Sequence, residues 1–325
     1  MLEFIQSLPS PIAQGMIWGI MAIGLYITFK ILDLSDLTVD GSFATGGAVL
    51  VVLTTSGVNI YLATFAAFLA GCAAGFVTGI FHTRFGIPAI LAGILTQLGL
   101  YSINLRIMSG RANLPISWRN YSLIVSSKTD VLPRTILVCA LIITALIGIL
   151  YWFFGTELGF SIRSTGCNQA MSRANGINTD SRKIIGLVLS NGIVAFAGAL
   201  LAQFQGNADV NMGRGAIVIG LAAVIIGEVI FSKIFVNFAL RLVSAVVGAI
   251  VYYIVIAAVL KLGLNANDLK LFSALIVAVF LAVPHWKSKI RRKTDKKATD
   301  SEKKGGSENV CRQTHASNKG GSQNP

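Results

Sequence analysis

Residues 155–183 read GTELGFSIRSTGCNQAMSRANGINTDSRK, a polar segment between two apolar runs of membrane-spanning length. The segment is too long for a simple hairpin connection and too short for a domain. Asn168 is a predicted helix N-cap, and Gly176 is predicted to stop that helix in a left-handed conformation after residues 170–175. A short helix held in a loop at a membrane surface is a structure that a partner protein can bind.

The rest of the chain has the composition of an integral membrane protein. Apolar residues make up 54% of the 325 residues and charged residues 13%, whereas soluble domains carry about 25% charged residues. Backbone groups in lipid must be satisfied internally, and no barrel-type alternation is present. We therefore predict an all-α polytopic membrane protein with about nine transmembrane helices. The predicted spans are residues 12–29, 39–55, 60–81, 87–105, 134–154, 184–205, 215–231, 238–260 and 269–284.

Two regions are predicted, a transmembrane domain over residues 1–286 and a basic tail over residues 287–325. The tail holds 11 Lys and Arg against 4 Asp and Glu and has few apolar residues, a composition typical of disorder. Its first half is expected to lie near anionic lipid headgroups. The chain has a formal charge of +13, but its basic residues do not form a basic face with interleaved aromatic residues. Nucleic-acid binding is therefore not predicted.

The basic tail also decides the predicted orientation. Lys and Arg in the loops tie at eight on each side of the membrane, so the positive-inside rule places the C-terminus in the cytoplasm through the tail alone. Residues 155–183 are then cytoplasmic too. The first ten residues contain Glu3 and no basic residue, so the first apolar run is expected to be a retained span rather than a signal peptide.

No motif in the chain predicts catalysis. The sequence has no GxxxxGK[ST], HExxH or GxSxG, and its four cysteines and three histidines are scattered. We therefore predict no catalytic residue, no cofactor, no metal site and no disulfide.

The polar residues near and inside the spans are the candidates for a transport path. Asp40 stands in the segment DLSDLTVDGS at the start of the second span. A carboxylate at the bilayer centre costs about 2.5–3.5 kcal/mol, so Asp40 lies at the aqueous interface or caps a broken helix, with direct substrate contact as a further alternative. The amides Gln97, Asn191 and Gln203 either bond neighbouring helices or line a polar path.

A weak internal repeat joins residues 46–53 and 220–227, GGAVLVVL and GLAAVIIG. Repeated halves are common in transporters. The recurrent glycines within the spans predict close helix packing. The outer loop over residues 105–133 is either a platform for a binding protein or a plain connection.

The polar segment carries a family resemblance. The pattern Thr156-x-Leu158-Gly159-x3-Arg163-x2-Gly166-x-Asn168-x5-Ala174-x-Gly176-Ile177-Asn178 resembles the cytoplasmic coupling segment of ABC importer permeases of the branched-chain amino acid/ribose type. Residues 36–49 and 191–206 are similar to that family's second span and to the span after its coupling segment. The likeness covers residues 12–284.

This resemblance implies a permease subunit in the cell membrane, which forms the path for a small polar solute and has no nucleotide site of its own. It implies two copies of a separate ATPase, an extracytoplasmic substrate-binding protein and a second permease copy in a homodimer. The DLTVDG variant is most similar to a subgroup for amino-acid uptake that includes tryptophan and tyrosine. The implied ATPase-coupling residues are Leu158, Gly159, Arg163, Gly166, Asn168, Ala174, Gly176, Ile177 and Asn178.

Some readings of the residues stay open. Arg163 and Arg173 bind acidic groups of the ATPase or of lipid, or they are solvated positive-inside charges. Ser161, Ser164, Thr165 and Cys167 make the coupling segment more polar than an alanine-rich version, which leaves the ATPase partner open. The main alternative function is a secondary transporter or channel, which the low charge within the spans disfavours. A structural scaffold would leave the helix in residues 155–183 unexplained.

Overall fold

The protein is described here by a computed structural model that covers residues 8–117, 121, 123–128, 131–231 and 237–261, with six further residues between 271 and 279. Nearly all of this part of the chain is helical. The predicted tail and most of the predicted ninth span lie outside the described residues.

Seven of the described helices are long and apolar enough to cross a membrane. They are α1 (Pro9–Tyr26, continued by a π-helical turn, Ile27–Ile31), α2 (Thr38–Thr55), α3 (Ile60–Thr83), α4 (Ala89–Ile107), α5 (Leu132–Phe154), α8 (Thr179–Gln205) and α10 (Phe238–Lys261). Helix α9 (Ala216–Phe231) is apolar but has only 16 residues. The all-α fold is confirmed, whereas the count of nine spans is not.

Helices α1–α3 and α8–α10 repeat one arrangement. Helix α3 packs along α8, with Gly71 against Asn191, and α10 packs along α1, with Gly15 against Ile250. The second helix of each triple also packs on the first helix of the other triple. Helix α1 ends beside residues 155–183 and α8 begins there, so the triples run in opposite directions, as in inverted transporter repeats. The similar stretches 46–53 and 220–227 fall in α2 and α9, which are equivalent in this arrangement.

A small antiparallel ribbon joins two loops at the end of the bundle opposite residues 155–183. Strand β1 (Asn113–Pro115) follows α4, and strand β2 (Asn207–Asp209) follows α8. Leu114 pairs with Ala208 in the register. The ribbon ties the start of the long outer loop to the segment that leads into α9.

Close contact between α2 and α8 depends on Gly46. A β-carbon at this position would collide with the backbone carbonyl of Ala195. Backbone cannot move aside as a flexible side chain can, so any larger residue must push the two helices apart. This contact lies in the central part of the bundle, where Ala195 is fully buried.

The Gly46→Ala variant is therefore expected to lose about 1–3 kcal/mol of unfolding free energy, the usual cost of overpacking a core. Gly148→Ala is the matched control, because a β-carbon at Gly148 of α5 meets nothing within 4 Å. Unfolding in detergent micelles measures both. Equal unfolding midpoints for the two variants would contradict the close packing of α2 on α8.

Candidate functional site

Residues 155–183 fold into two short helices and the start of α8. Helix α6 (Glu157–Cys167) begins at the N-cap Thr156, and helix α7 (Gln169–Ala174) begins at Asn168. The amide carbonyl oxygen of Asn168 accepts a hydrogen bond from the backbone N–H of Met171 at 3.0 Å. The predicted N-cap is thus present, and Gly176 has the predicted left-handed conformation with φ of +78°. Helix α6 was not predicted.

Two of the predicted coupling residues fasten α6 to the membrane helices. A β-carbon at Gly159 would collide with Phe154 at the end of α5, and a β-carbon at Gly166 would collide with Ile31 at the end of α1. Ile162 lies between these glycines on the buried face of α6 and is fully buried. Gly159 and Gly166 therefore let α6 lie directly on the ends of α5 and α1.

Helix α7 projects from this base. Ser172 is its only buried residue, and the Ser172 hydroxyl lies 2.8 Å from the hydroxyl of Ser164 in α6. Arg173 donates hydrogen bonds to Thr179 at 2.8 Å and to Asp180 at 3.3 Å. Helix α7 is thus tied to α6 on one side and to the start of α8 on the other, and its outer face is free.

The outer face of α7 contains an exposed apolar side chain, Met171, which is 64% exposed. Among the other predicted coupling residues, Leu158, Ala174 and Asn178 are exposed and Ile177 is half-buried. Asn178 caps α8 by accepting a hydrogen bond from the N–H of Ser181 at 3.2 Å. Met171, Ala174 and Asn178 lie in or just after α7 and form an exposed surface that a partner can contact, whereas Leu158 lies at the other end of α6.

Arg163 lies apart from that surface. Its guanidinium carbon is 4.1 Å from the ring centre of Phe238 in α10 and 5.4 Å from that of Phe154. Arg163 therefore packs against α10, whereas Arg173 forms a salt bridge with Asp180 of the same chain.

A second polar group lies inside the bundle, where α2 begins. Asp36 is buried, and its carboxylate accepts hydrogen bonds from the N–H of Thr38 at 2.9 Å and from the amide of Asn191 at 2.7 Å. The hydroxyl of Ser42 donates to the other side of that amide at 2.6 Å. Asn191 lies about 18 Å along α8 from Thr179 at the usual rise per residue. Helix α2 thus starts within the bundle, beside the middle of α8.

Asp40 connects the starts of two helices. It lies in the first turn of α2, and its carboxylate accepts hydrogen bonds from the backbone N–H groups of Gly215 and Ile217, each at 3.0 Å. These two groups belong to the beginning of α9. The structure therefore places a side-chain cap on α9, across the repeat, rather than on α2.

The remaining candidate path residues have separate surroundings. Gln97 is half-buried on α4, where it packs against Gly41. Gln203 is buried near the end of α8, accepts a hydrogen bond from the N–H of Ile124 at 3.0 Å and donates one to Thr64 at 3.3 Å. Asp40, Gln97 and Asn191 thus gather around the start of α2, whereas Gln203 holds the outer loop.

Several polar residues of this region were not predicted as site residues. The hydroxyl of Thr38 lies 2.7 Å from that of Thr78 in α3, which donates to Thr96 in α4 at 2.9 Å. Asp36 and Ser42 stand in the DLTVDGS segment that already marked Asp40, so their proximity was a usable signal. No sequence signal marked Thr78 and Thr96, because the hydroxyl of a threonine within a helix ordinarily bonds the backbone of its own helix.

The described residues contain no group of three or more His, Cys, Asp or Glu side chains that would hold a metal ion. The polar groups around α2 and α9 are hydrogen-bonded to one another and hold these helices together.

An inverted helical repeat of membrane-spanning helices is an architecture common among membrane transporters. The chain belongs to the family described as the permease component of the branched-chain amino acid transport system, whose model matches residues 9–284. It is a multi-pass membrane protein and a permease component of an ABC transport system for small solutes, as the resemblance implied. Membership of this family implies ATPase and substrate-binding partner subunits.

Three relatives illustrate the range of the family. The chain is 40% identical over 273 residues to the tyrosine transport system permease protein of Clostridioides difficile (strain R20291), covering 84% of this chain and 90% of the relative. It is 32% identical over 271 residues to the uncharacterized protein RP368 of Rickettsia prowazekii (strain Madrid E), covering 83% and 94%. It is 28% identical over 255 residues to the fructose import permease protein FruF of Bifidobacterium longum (strain NCC 2705), covering 75% and 68%.

The Asp40→Ala variant is expected to lose roughly 2 kcal/mol of unfolding free energy, since two backbone N–H groups at the start of α9 lose their acceptor. Asp40→Asn keeps one side-chain oxygen and is expected to fall between wild type and Asp40→Ala. Denaturant unfolding in micelles measures the series.

Asp209→Ala is the control, because the Asp209 carboxylate also accepts a backbone N–H, that of Asn211 at 2.6 Å, but within its own turn rather than from another helix. A loss for Asp40→Ala no greater than that for Asp209→Ala would remove the case for Asp40 as the cap of α9.

Proposed function

We propose that this chain forms the translocation path of an ATP-driven importer for an amino acid of the tyrosine type. Two copies of the chain associate as a homodimer, two ATPase copies bind at the cytoplasmic face, and a substrate-binding protein delivers solute at the opposite face. The C-terminus and residues 155–183 are cytoplasmic in this arrangement. The observation that carries the proposal is α7, an exposed, capped helix tied to the ends of the membrane helices on both sides.

The contacts of α7 offer a route for movement. A force on α7 reaches α8 through the bonds of Arg173 to Thr179 and Asp180. Helix α8 carries Asn191, which is bonded to Asp36 at the start of α2. Packed helices and hydrogen bonds of this kind transmit displacement because they have discrete arrangements rather than a continuous range. ATP-driven closure of the ATPase pair then shifts α8 against α2 and opens the path.

The structure favours some of the candidate path residues over others. Asn191 and Gln203 are buried, and their side-chain amides form hydrogen bonds with neighbouring helices and with a loop. Asp40 and Gln97 are half-buried beside α4, whose remaining surface is largely exposed in the single chain. We assign the path to this face of α4, between the two copies, with Gln97 nearest to the solute and Asp40, whose carboxylate is bonded to the start of α9, beside it.

The amino-acid substrate is supported by the relatives and by the sequence. The 40% identical relative is named for tyrosine transport, and the family is described by branched-chain amino acid transport. The relative named for fructose import is more distant, at 28% identity. The DLTVDG segment at the start of α2 adds the similarity to aromatic amino-acid uptake noted above.

The Met171→Asp variant is expected to lose copurification with the partner ATPase. An aspartate places a charge on the apolar centre of the α7 surface, and truncating or charging a central contact typically costs about 2 kcal/mol or more, roughly thirtyfold in affinity. Pull-down from solubilised membranes and ATP-driven uptake in proteoliposomes give the two readouts.

Arg84→Asp provides the control, since Arg84 is exposed after α3 at the same end of the bundle but outside residues 155–183. Unchanged ATPase binding in Met171→Asp would count against docking at α7. Uptake by the permease alone in liposomes without ATP would favour the secondary transporter or channel.

The substrate class has its own test. Proteoliposomes that contain permease, ATPase and binding protein are expected to take up radiolabelled tyrosine on addition of ATP, with competition by tryptophan and none by fructose. ATP-driven uptake of fructose that tyrosine does not inhibit would exclude the amino-acid assignment and leave the importer assignment intact.

A further inference from the structure

A basic pocket of about 330 Å³ lies where α1, α6 and α10 meet, at the same end of the bundle as α7. We call it the basic pocket and define it by its three cations, Lys30, Arg163 and Arg241. Ile31 and Phe238 supply apolar lining. Each cation comes from a different element: Lys30 from the π-helical turn after α1, Arg163 from α6 and Arg241 from α10. The sequence places these residues far apart, and only the fold brings them together.

The charge in the basic pocket is not balanced by the described residues. Lys30 forms a salt bridge with Glu228 of α9, with 2.8 Å between the ammonium nitrogen and the carboxylate oxygen. Arg163 and Arg241 form no salt bridge with any carboxylate in the part of the chain that the structure describes. One carboxylate thus faces three cations, and the pocket carries an excess of two positive charges.

Arg163 is held in this position at a cost. Its guanidinium stacks on the ring of Phe238, 4.1 Å from the ring centre, an arrangement in which a cation is attracted to the aromatic face. Burial lowers the pKa of the Arg163 guanidinium, and the charge of Arg241 acts in the same direction, whereas Tyr26 opposes both. An anion between the two guanidiniums would offset both the burial and the repulsion.

The donors of the pocket suit a tetrahedral oxyanion. Each guanidinium presents a planar set of N–H donors that matches phosphate oxygens two at a time, and lysine adds a point charge. Inorganic phosphate or a phosphate monoester carries a charge of about −1.5 to −2 near neutral pH and offsets most of this excess, and the phosphodiester of an anionic phospholipid, with one negative charge, offsets half of it. The π-helical turn at Ile27–Ile31 widens the end of α1 beside the pocket, and such turns are frequent at functional sites.

We propose that the basic pocket binds a phosphate group, carried by the headgroup of an anionic phospholipid or by a soluble phosphate. Because Arg163 is part of α6, and α6 continues into α7, a bound phosphate fastens α6 to α1 and α10. The pocket thus lies outside the proposed path and adds a ligand that controls how freely the coupling helix moves.

Cys167 gives a direct readout, since it lines the pocket and is exposed. The rate at which N-ethylmaleimide modifies Cys167 is followed by peptide mass spectrometry on the full chain with its native cysteines. Inorganic phosphate is added in detergent at constant ionic strength set by sodium chloride, which controls for screening. A second arm, in buffer without inorganic phosphate, compares nanodiscs of anionic phosphatidylglycerol with nanodiscs of zwitterionic phosphatidylcholine.

The proposal predicts that phosphate or phosphatidylglycerol slows modification of Cys167. The Arg241→Gln variant is expected to need about tenfold more phosphate for the same protection, the effect of losing one charge-assisted hydrogen bond. Arg241→Lys keeps the charge and is expected to need a smaller increase in phosphate concentration. Arg84→Gln removes an exposed charge at the same end of the bundle and is expected to need no increase. Protection by inorganic phosphate identifies a soluble ligand, whereas protection by phosphatidylglycerol alone identifies a lipid.

Two outcomes would overturn the proposal. The first is no protection of Cys167 by either phosphate source, and the second is full protection retained in Arg241→Gln and in Arg163→Gln. The ATPase is left out of these reactions, because its docking on α7 would itself shield Cys167. Failure here leaves the importer function untouched, because docking at Met171 and ATP-driven uptake are measured separately.

Discussion

The fold depends on carboxylates that satisfy backbone N–H groups inside a membrane bundle. The first backbone N–H groups of a helix have no acceptor within the helix, and where the helix begins inside the bundle no water is present to accept their hydrogen bonds. Asp36 meets this need for α2 through the N–H of Thr38, and Asp40 meets it for α9 through Gly215 and Ile217. The Asp36 group is buried, whereas the bond of Asp40 to Gly215 is exposed in the single chain, so Asp36 supports the buried start of α2 and Asp40 fixes the start of α9 against α2.

The same carboxylates link the two halves of the repeat. Asp40 belongs to the first triple of helices and holds the second helix of the other triple. Asp36 reaches across to Asn191 of α8. A displacement of α8 that began at α7 would therefore move the starts of α2 and α9, which lie next to the face of α4 that we assign to the path. In the function that we propose, Asp36, Asp40 and Asn191 connect the coupling helix with the path.

Local patterns in the sequence predicted the parts of the fold that local chemistry decides. Length and hydropathy located seven spans, and Asn168 and Gly176 marked the ends of α7 because a cap and a left-handed stop are read from single residues. Helix α6 escaped prediction since its stability comes from Gly159 and Gly166 lying on α5 and α1 rather than from its own glycine- and serine-rich residues.

Long-range contacts set the limit of prediction. Asp40 was a candidate cap, but nothing near it in the sequence pointed to Gly215 as a partner, 175 positions away. Gln203 has the same residue type as a path-lining amide, yet it holds Ile124 of the outer loop. Of the three cations in the basic pocket, the sequence singled out only Arg163, and nothing pointed to Lys30 or Arg241 as its neighbours. Such contacts are products of the packing of the helices and become visible only with the fold.

Hydrogen exchange on the full chain in nanodiscs, with and without the partner ATPase, tests the central claim most directly. We predict that the backbone amides of Gly215 and Ile217 exchange more slowly in the wild type than in Asp40→Ala in both states, because the Asp40 carboxylate accepts hydrogen bonds from them. We also predict that residues 168–176 exchange quickly in the free chain and slow down when the ATPase binds. Equal exchange at Gly215 and Ile217 in the wild type and in Asp40→Ala, or no change at residues 168–176 on binding, would contradict the account.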